Sequence, residues 1–192
     1  PYSYSSSSQA FHHPAFDYIA SQPAVNEVLL SGGDPLMLTN ERLEDMLQKL
    51  AKIANLKRLR IHSRLPVVMP SRLSDELAEI LGGSRLKTVL VTHINHPREV
   101  TGTLTDRLAK LRSRNVHLLN QTVLLKGVND RVETLEKLCE KLFEADILPY
   151  YLHLLDRVQG TAHFEVDEDR SVSIVRKLHE RLPGFLVPRL VR

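Results

Sequence analysis

Short apolar runs alternate along this chain with longer stretches whose apolar residues recur every third or fourth position. The runs at 25–30, 57–62, 86–92, 116–121 and 147–153 read as buried strands. Between them, Leu43, Met46, Leu47, Leu50 and Ile53 share one helical face, as do Leu104, Leu108 and Leu111. Val132, Leu135, Leu138, Leu142 and Phe143 form a further face, and Val172, Val175, Leu178 and Leu182 the last stripe. The segment from Phe11 to Ile19 predicts a helix that ends before Pro23. Strand ends fall about 30 residues apart, the spacing of strand–helix units joined by right-handed crossovers in a parallel sheet. An open doubly wound sheet and a (β/α) barrel both meet that description. Five or six units fall short of the eight of a closed barrel. The expected fold is therefore α/β: a partial TIM-type barrel with strands in sequential order, lacking its first strand. A strand order that reverses midway would mark the doubly wound alternative.

Composition narrows the picture. With 192 residues, 42% of them hydrophobic, the chain can bury a core as one domain over 11–192. The serine-rich start, Tyr2-Ser3-Tyr4-Ser5-Ser6-Ser7-Ser8, reads as a mobile leader spanning 1–10. Because the sequence opens on Pro1 and stops in mid-pattern at Arg192, it is expected to be part of a longer protein. No apolar run approaches the roughly 18–20 residues of a membrane span. The net charge of +3 comes from dispersed Lys and Arg, which does not favour nucleic-acid binding. The single cysteine rules out an intrachain disulfide and fits the cytoplasm. Cys139 shares the apolar face of Leu135 and Leu142, so a buried thiol is expected there.

Candidate chemistry collects at one end of the strands. Ser31-Gly32-Gly33-Asp34-Pro35-Leu36 comes directly after the apolar Val28-Leu29-Leu30. Two glycines permit a sharp turn and close approach of a ligand to main-chain N–H groups. Asp34 would then offer its charge to a cationic group, or else Asp34 or Thr39 would cap the next helix. The later strands end in His62-Ser63-Arg64, Thr92-His93-Ile94-Asn95-His96, Asn120-Gln121, and His153 with Asp156 nearby. The carboxyl ends of parallel strands line one mouth, where ligands bind. His93 and His96, three apart, could instead serve a metal-dependent barrel hydrolase, although no third ligand accompanies them. A serine hydrolase has no Gly-x-Ser-x-Gly elbow to stand on.

In order, Leu-Ser-Gly-Gly-Asp-Pro-Leu (30–36), Arg-Ile-His-Ser-Arg-Leu-Pro (60–66), Thr-His-Ile-Asn-His-Pro-Arg-Glu (92–99), Asn-Gln-Thr-Val-Leu-Leu-Lys-Gly-Val-Asn-Asp (120–130) and Pro-Tyr-Tyr-Leu-His-Leu-Leu-Asp (149–156) resemble the lysine 2,3-aminomutase branch of the radical S-adenosylmethionine (SAM) enzymes. His62 and the segment 156–164 resemble the branch that supplies β-lysine for modifying elongation factor P. The resemblance implies an isomerase with a [4Fe–4S] cluster, SAM and pyridoxal phosphate (PLP), acting on lysine. It implies that Ser31, Gly32, Gly33 and Asp34 receive the amino-acid end of SAM, with Gln121. His93, Asn120 and Gln121 would line the PLP pocket, and Tyr150, His153 and Asp156 the substrate pocket. His153 stands where the free-lysine enzymes have Tyr. The cluster needs a Cys-x3-Cys-x2-Cys run, which one cysteine cannot supply, so the 192 residues alone are expected to be inactive. Self-association into a homo-oligomer is compatible with the resemblance. A non-catalytic binding module on a truncated barrel, and the hydrolase, remain the alternatives.

Overall fold

A computed structural model describes residues 14–156 and 158–192. The leader expected over 1–10, and the start of the helix expected from Phe11, lie outside the described residues. Six strands form one parallel sheet in sequential order: β1 Glu27–Leu30, β2 Arg58–Ser63, β3 Lys87–His93, β4 His117–Val123, β5 Leu148–His153 and β6 Arg189–Val191. The order never reverses, so the sheet is a half-barrel and not a doubly wound one. Five strands fall within a residue or two of their expected places. The sixth, three residues long and next to Pro188, is too short to carry an alternation of its own.

The helices are α1 Pro14–Ser21, α2 Asn40–Ala51, α3 Leu65–Val68, α4 Asp75–Gly82, α5 Gly102–Ser113, α6 Val132–Glu144 and α7 Glu168–His179. Their starts obey capping chemistry. Thr39, Ser74, Thr101 and Asp167 accept the N–H groups of Arg42, Leu77, Leu104 and Arg170 through their side chains. Two ends are turned by non-glycine residues in the left-handed region, Asn115 at φ 62° after α5 and Asp146 at φ 58° after α6. There the N–H groups of Val116 and Ile147 reach back to the carbonyls of Leu111 and Leu142, which closes each helix and aims the chain into the next strand.

One side of every strand packs on this helical layer. Leu59, Ile61, Leu90, Leu118 and Leu152 meet Leu43, Leu47, Leu77, Leu81, Leu104, Leu108, Leu135, Leu138 and Leu142 in a single apolar cluster. Two expected stripe residues stand outside it. Phe143 is exposed and set edge-on to Phe185, 5.5 Å between ring centroids. Val172 is also exposed, because α7 turns Ser171, Ile174 and Leu178 inward instead. Helix α4, with Leu77 and Leu81, is too brief for its stripe to stand out in the sequence. No helix among the described residues is long and apolar enough to cross a membrane.

The layer is tight where α4 meets the end of α5. A methyl group on Gly82 would stand 2.5 Å from Arg114 Cβ and closer still to the Arg114 carbonyl oxygen, whereas one on Gly102 would meet nothing within 4 Å. Gly82→Ala in the full-length protein is expected to lower stability by about 1–3 kcal/mol through overpacking. Gly102→Ala should be neutral or raise it by up to about 1 kcal/mol. Urea unfolding midpoints of the two variants check the contrast.

Candidate active site

Alternation along the strands sends every second side chain away from the helices and into the hollow of the half-barrel. Arg60 and His62 on β2, Val89, Val91 and His93 on β3, Leu119 and Gln121 on β4, and Tyr151 and His153 on β5 share this inner face. Most of them are half-buried. Val91 is fully buried yet belongs to no part of the helix-side cluster, as a residue beneath an inner layer should be. The register places His93 beside Gln121 and His62 beside Val91.

Above this face, at the carboxyl ends of β1 to β4, lies a cleft of about 260 Å³. Ser31, Gly32, Gly33 and Asp34 form one wall, and His62, His93 and Gln121 face them. Gly32 and Gly33 have φ of 86° and 110°, so a side chain at either would be strained before any ligand is considered. Asp34 stands in the wall, but its charge is already engaged. Its Oδ1 accepts from Leu36 N–H at 3.0 Å and from Ser63 Oγ at 2.7 Å; its Oδ2 accepts from Arg64 N–H at 2.8 Å and Leu65 N–H at 3.0 Å. The carboxylate thus caps the turn after β1 and ties it to the turn after β2. The capping expectation describes Asp34 better than a free charge does.

Three imidazoles carry the unspent polarity of the mouth. His62 Nδ1 and Gln121 Oε1 are 2.9 Å apart. An amide oxygen only accepts, so Nδ1 carries the proton. The Nε2 atoms of His62, His93 and His153 are all buried without a hydrogen-bond partner. Burial, first, and then the Arg60 guanidinium lower the pKa of His62; burial and Arg64 do the same for His93, and burial for His153. His153 also disfavours charge on each of the other two histidines. Arg64 lines the cleft too, with its guanidinium engaged by Glu99 (Nη2 to Oε1, 2.5 Å) and by the His93 carbonyl. Burial opposes ionisation of Glu99, but the hydrogen bonds from Arg64 and from Asn95 N–H outweigh it and keep its carboxyl below the ordinary range.

Other expected residues lie elsewhere. Asn120 does not join the cleft. It obeys its strand's alternation to the helix side, is 1% exposed, and satisfies every polar atom there. Its Oδ1 accepts from Thr92 Oγ1 and Ile94 N–H, both at 2.9 Å, and its Nδ2 donates to the Ile94 carbonyl and to Thr122 Oγ1. Adjacent residues of a strand cannot both face inward, and Gln121 holds the inward place. Tyr150 lies on the inner side because β5 bulges: Asn120 pairs with Pro149 but Gln121 with Tyr151. Its hydroxyl accepts from Arg60 Nη1 at 2.9 Å and donates to Tyr151 Oη at 2.8 Å, spanning the hollow from β2 to β5. Asp156 is exposed on the loop after β5. It lines a separate hollow of about 790 Å³ with Ala162, Glu165, Asp167 and Arg192, and caps no helix.

The metal alternative loses its second ligand. His96 Nδ1 accepts Arg98 N–H at 3.1 Å as the cap of the short turn Pro97–Glu99. No group of three or more His, Cys, Asp or Glu among the described residues is arranged to hold a metal. Cys139 is buried in α6 and its thiol is pushed up to about 12 by burial, so it is no ready thiolate ligand. The site residues that sequence reasoning passed over are Arg60 and Tyr151. The i, i+2 spacing of Arg60 and His62 on one strand face was the available signal.

No family model matches the chain. It is 50% identical over 178 residues to the L-lysine 2,3-aminomutase of Haemophilus influenzae, covering 93% of this chain and 53% of that protein. It is 46% identical over 192 residues to the L-lysine 2,3-aminomutase of Escherichia coli, covering 100% and 56%, and 40% identical over 178 residues to that of Clostridium subterminale, covering 92% and 42%. The chain spans about half the length of these curated relatives. Among solved structures, a domain of pyruvate-formate lyase-activating enzyme from Bacteroides vulgatus superposes with a TM-score of 0.61 at 14% identity, covering 88% of this chain and 100% of that one. A radical SAM methyltransferase from Sphaerobacter thermophilus gives 0.62 at 15%, covering 87% and 51%. At such identities the two structures establish the half-barrel fold alone.

The buried polar groups generate two expected outcomes. Asn120→Ala leaves Ile94 N–H without its acceptor and should cost about 1–3 kcal/mol in thermal or urea unfolding. The second concerns pH. Each of the three histidines is held neutral when folded, with a pKa below the ordinary 6.5, so the unfolded chain takes up protons first. Their contribution is complete above about pH 6.5 and is lost as the pH falls through the folded-state values. The unfolding midpoint should drop between pH 7 and 5, and His93→Gln should flatten that slope.

Proposed function

We propose that this chain is the central part of a lysine 2,3-aminomutase that works by radical SAM chemistry with PLP, in the branch that serves elongation factor P. The observation that carries the reading is the identity spread along the whole chain to enzymes of that name. The cleft supports it independently. Positive-φ glycines, buried imidazole nitrogens without partners and an amide nitrogen still to be bonded suit the zwitterionic end of an amino-acid ligand. The resemblance of His62 and of the segment 156–164 to that branch supports the choice of branch.

When bound, SAM with its cluster supplies a carbon radical, and PLP holds the migrating amino group. The residues of this chain bind, orient and shield. The Ser31–Gly33 turn and Gln121 would meet the amino-acid end of SAM, with Asp34 fixing the turn from behind. Val91 and Leu119 lay an apolar floor beneath, which keeps water from a reactive intermediate. His93, neutral and with Nε2 unspent, would face the PLP side. Tyr150 and His153 would line the substrate side, and Asp156 would take the lysine side-chain ammonium. The thiolates of a cluster are not among these residues, since Cys139 is the sequence's one cysteine.

The full-length protein, prepared anaerobically with SAM, PLP and a one-electron reductant, should convert labelled α-lysine to β-lysine, read by carbon-13 NMR. A cluster-replete preparation that forms none overturns the reading. Because Asp156 and the glycine turn line separate hollows, Asp156→Asn should weaken lysine binding by roughly 30-fold or more. SAM affinity should stay within about twofold. Parallel titrations of the two ligands measure it.

A further inference from the structure

Gln121 Nε2 is a donor on the inner face at the mouth that has no hydrogen-bond partner among the described residues, while its Oε1 faces His62 Nδ1. An unrestrained amide can turn over and present either oxygen or nitrogen to a ligand. Here it cannot turn freely. His62, two strands away, reaches over Val91 and sets its Nδ1 2.9 Å from Gln121 Oε1. With Oε1 engaged, Nε2 is left for the cleft lined by Ser31, Gly32 and Gly33.

We propose that His62 is a positioning residue for Gln121. Its Nδ1–H fixes the amide so that Gln121 Nε2–H is aimed at an acceptor of the bound ligand, a carboxylate in the amino-acid class. The inference rests on the aminomutase reading for the identity of the ligand. The role belongs to Nδ1. Nε2 lies on the far side of the ring and is not needed for it. Two substitutions separate the two nitrogens. An Asn side chain places a donor near the position of Nδ1, and a Gln side chain places its polar atoms near that of Nε2.

The test is calorimetric titration of the full-length holoenzyme with SAM. His62→Ala should lower affinity about five- to tenfold, the change that goes with one net hydrogen bond. His62→Asn should recover it to within about twofold, and His62→Gln should not. In the Gln121→Ala background, His62→Ala should cost nothing further. Nitrogen-15 NMR of labelled histidine should show His62 protonated at Nδ1, a state lost in Gln121→Leu, which a purely packing role would not produce. Unchanged affinity in His62→Ala, or rescue by Gln and not by Asn, overturns the inference while leaving the aminomutase reading in place. A wild-type holoenzyme that does not bind SAM overturns both.

Discussion

Asp34 is the constraint on which the mouth of this half-barrel depends. One carboxylate gathers donors from the turn after β1 and the turn after β2, and so sets where Gly32 and Gly33 stand against His62. The arrangement then passes along the strand ends. Arg64, placed by Asp34, reaches Glu99 and the His93 carbonyl. Glu99 takes Asn95 N–H at 2.6 Å; Asn95 Oδ1 takes Val123 N–H at 2.9 Å; Asn129 donates to the carbonyls of Asn95 and Val123. A polar seam therefore runs from β1 to β4 on the outer side of the mouth. Each bond adds only about 0.5–1.5 kcal/mol, but orphaning a buried partner costs more, so the seam holds as a unit.

That seam divides the polar residues into two sets. Asp34, Ser63, Arg64, Thr92, Asn95, Glu99, Asn120 and Asn129 spend their hydrogen bonds on the protein. His62, His93, Gln121 and His153 keep some in reserve and face the hollow. The first set satisfies backbone groups around the mouth, so the unpaired polar atoms left there belong to inner-face side chains.

Strand spacing and apolar runs made the half-barrel legible before any coordinates, because parallel strands buried against helices read as continuous apolar segments. The place of the site was legible too, from polar residues at one end of successive strands. Which member of each polar group faces inward was not. Asn120 and Gln121 look alike in the sequence, yet alternation sends one to the helices and the other to the cleft. The β5 bulge breaks that same alternation and brings Tyr150 and Tyr151 to one side, an irregularity marked in the sequence only by Pro149. Asp34 shows the third limit. A carboxylate beside two glycines suggests a ligand, and only the positions of Ser63, Arg64 and Leu65, about 30 residues on, show that its valences are filled.

The unbroken strand order has a consequence for how the protein comes into being. Each strand pairs with the one made just before it, so no segment must wait for a distant partner to emerge. At synthesis rates of about 5–20 residues per second, a unit of about 30 residues leaves the ribosome every few seconds. Helix formation and loop closure take far less time than that. The barrel can therefore grow by addition at one open edge, each new strand finding its template already in place.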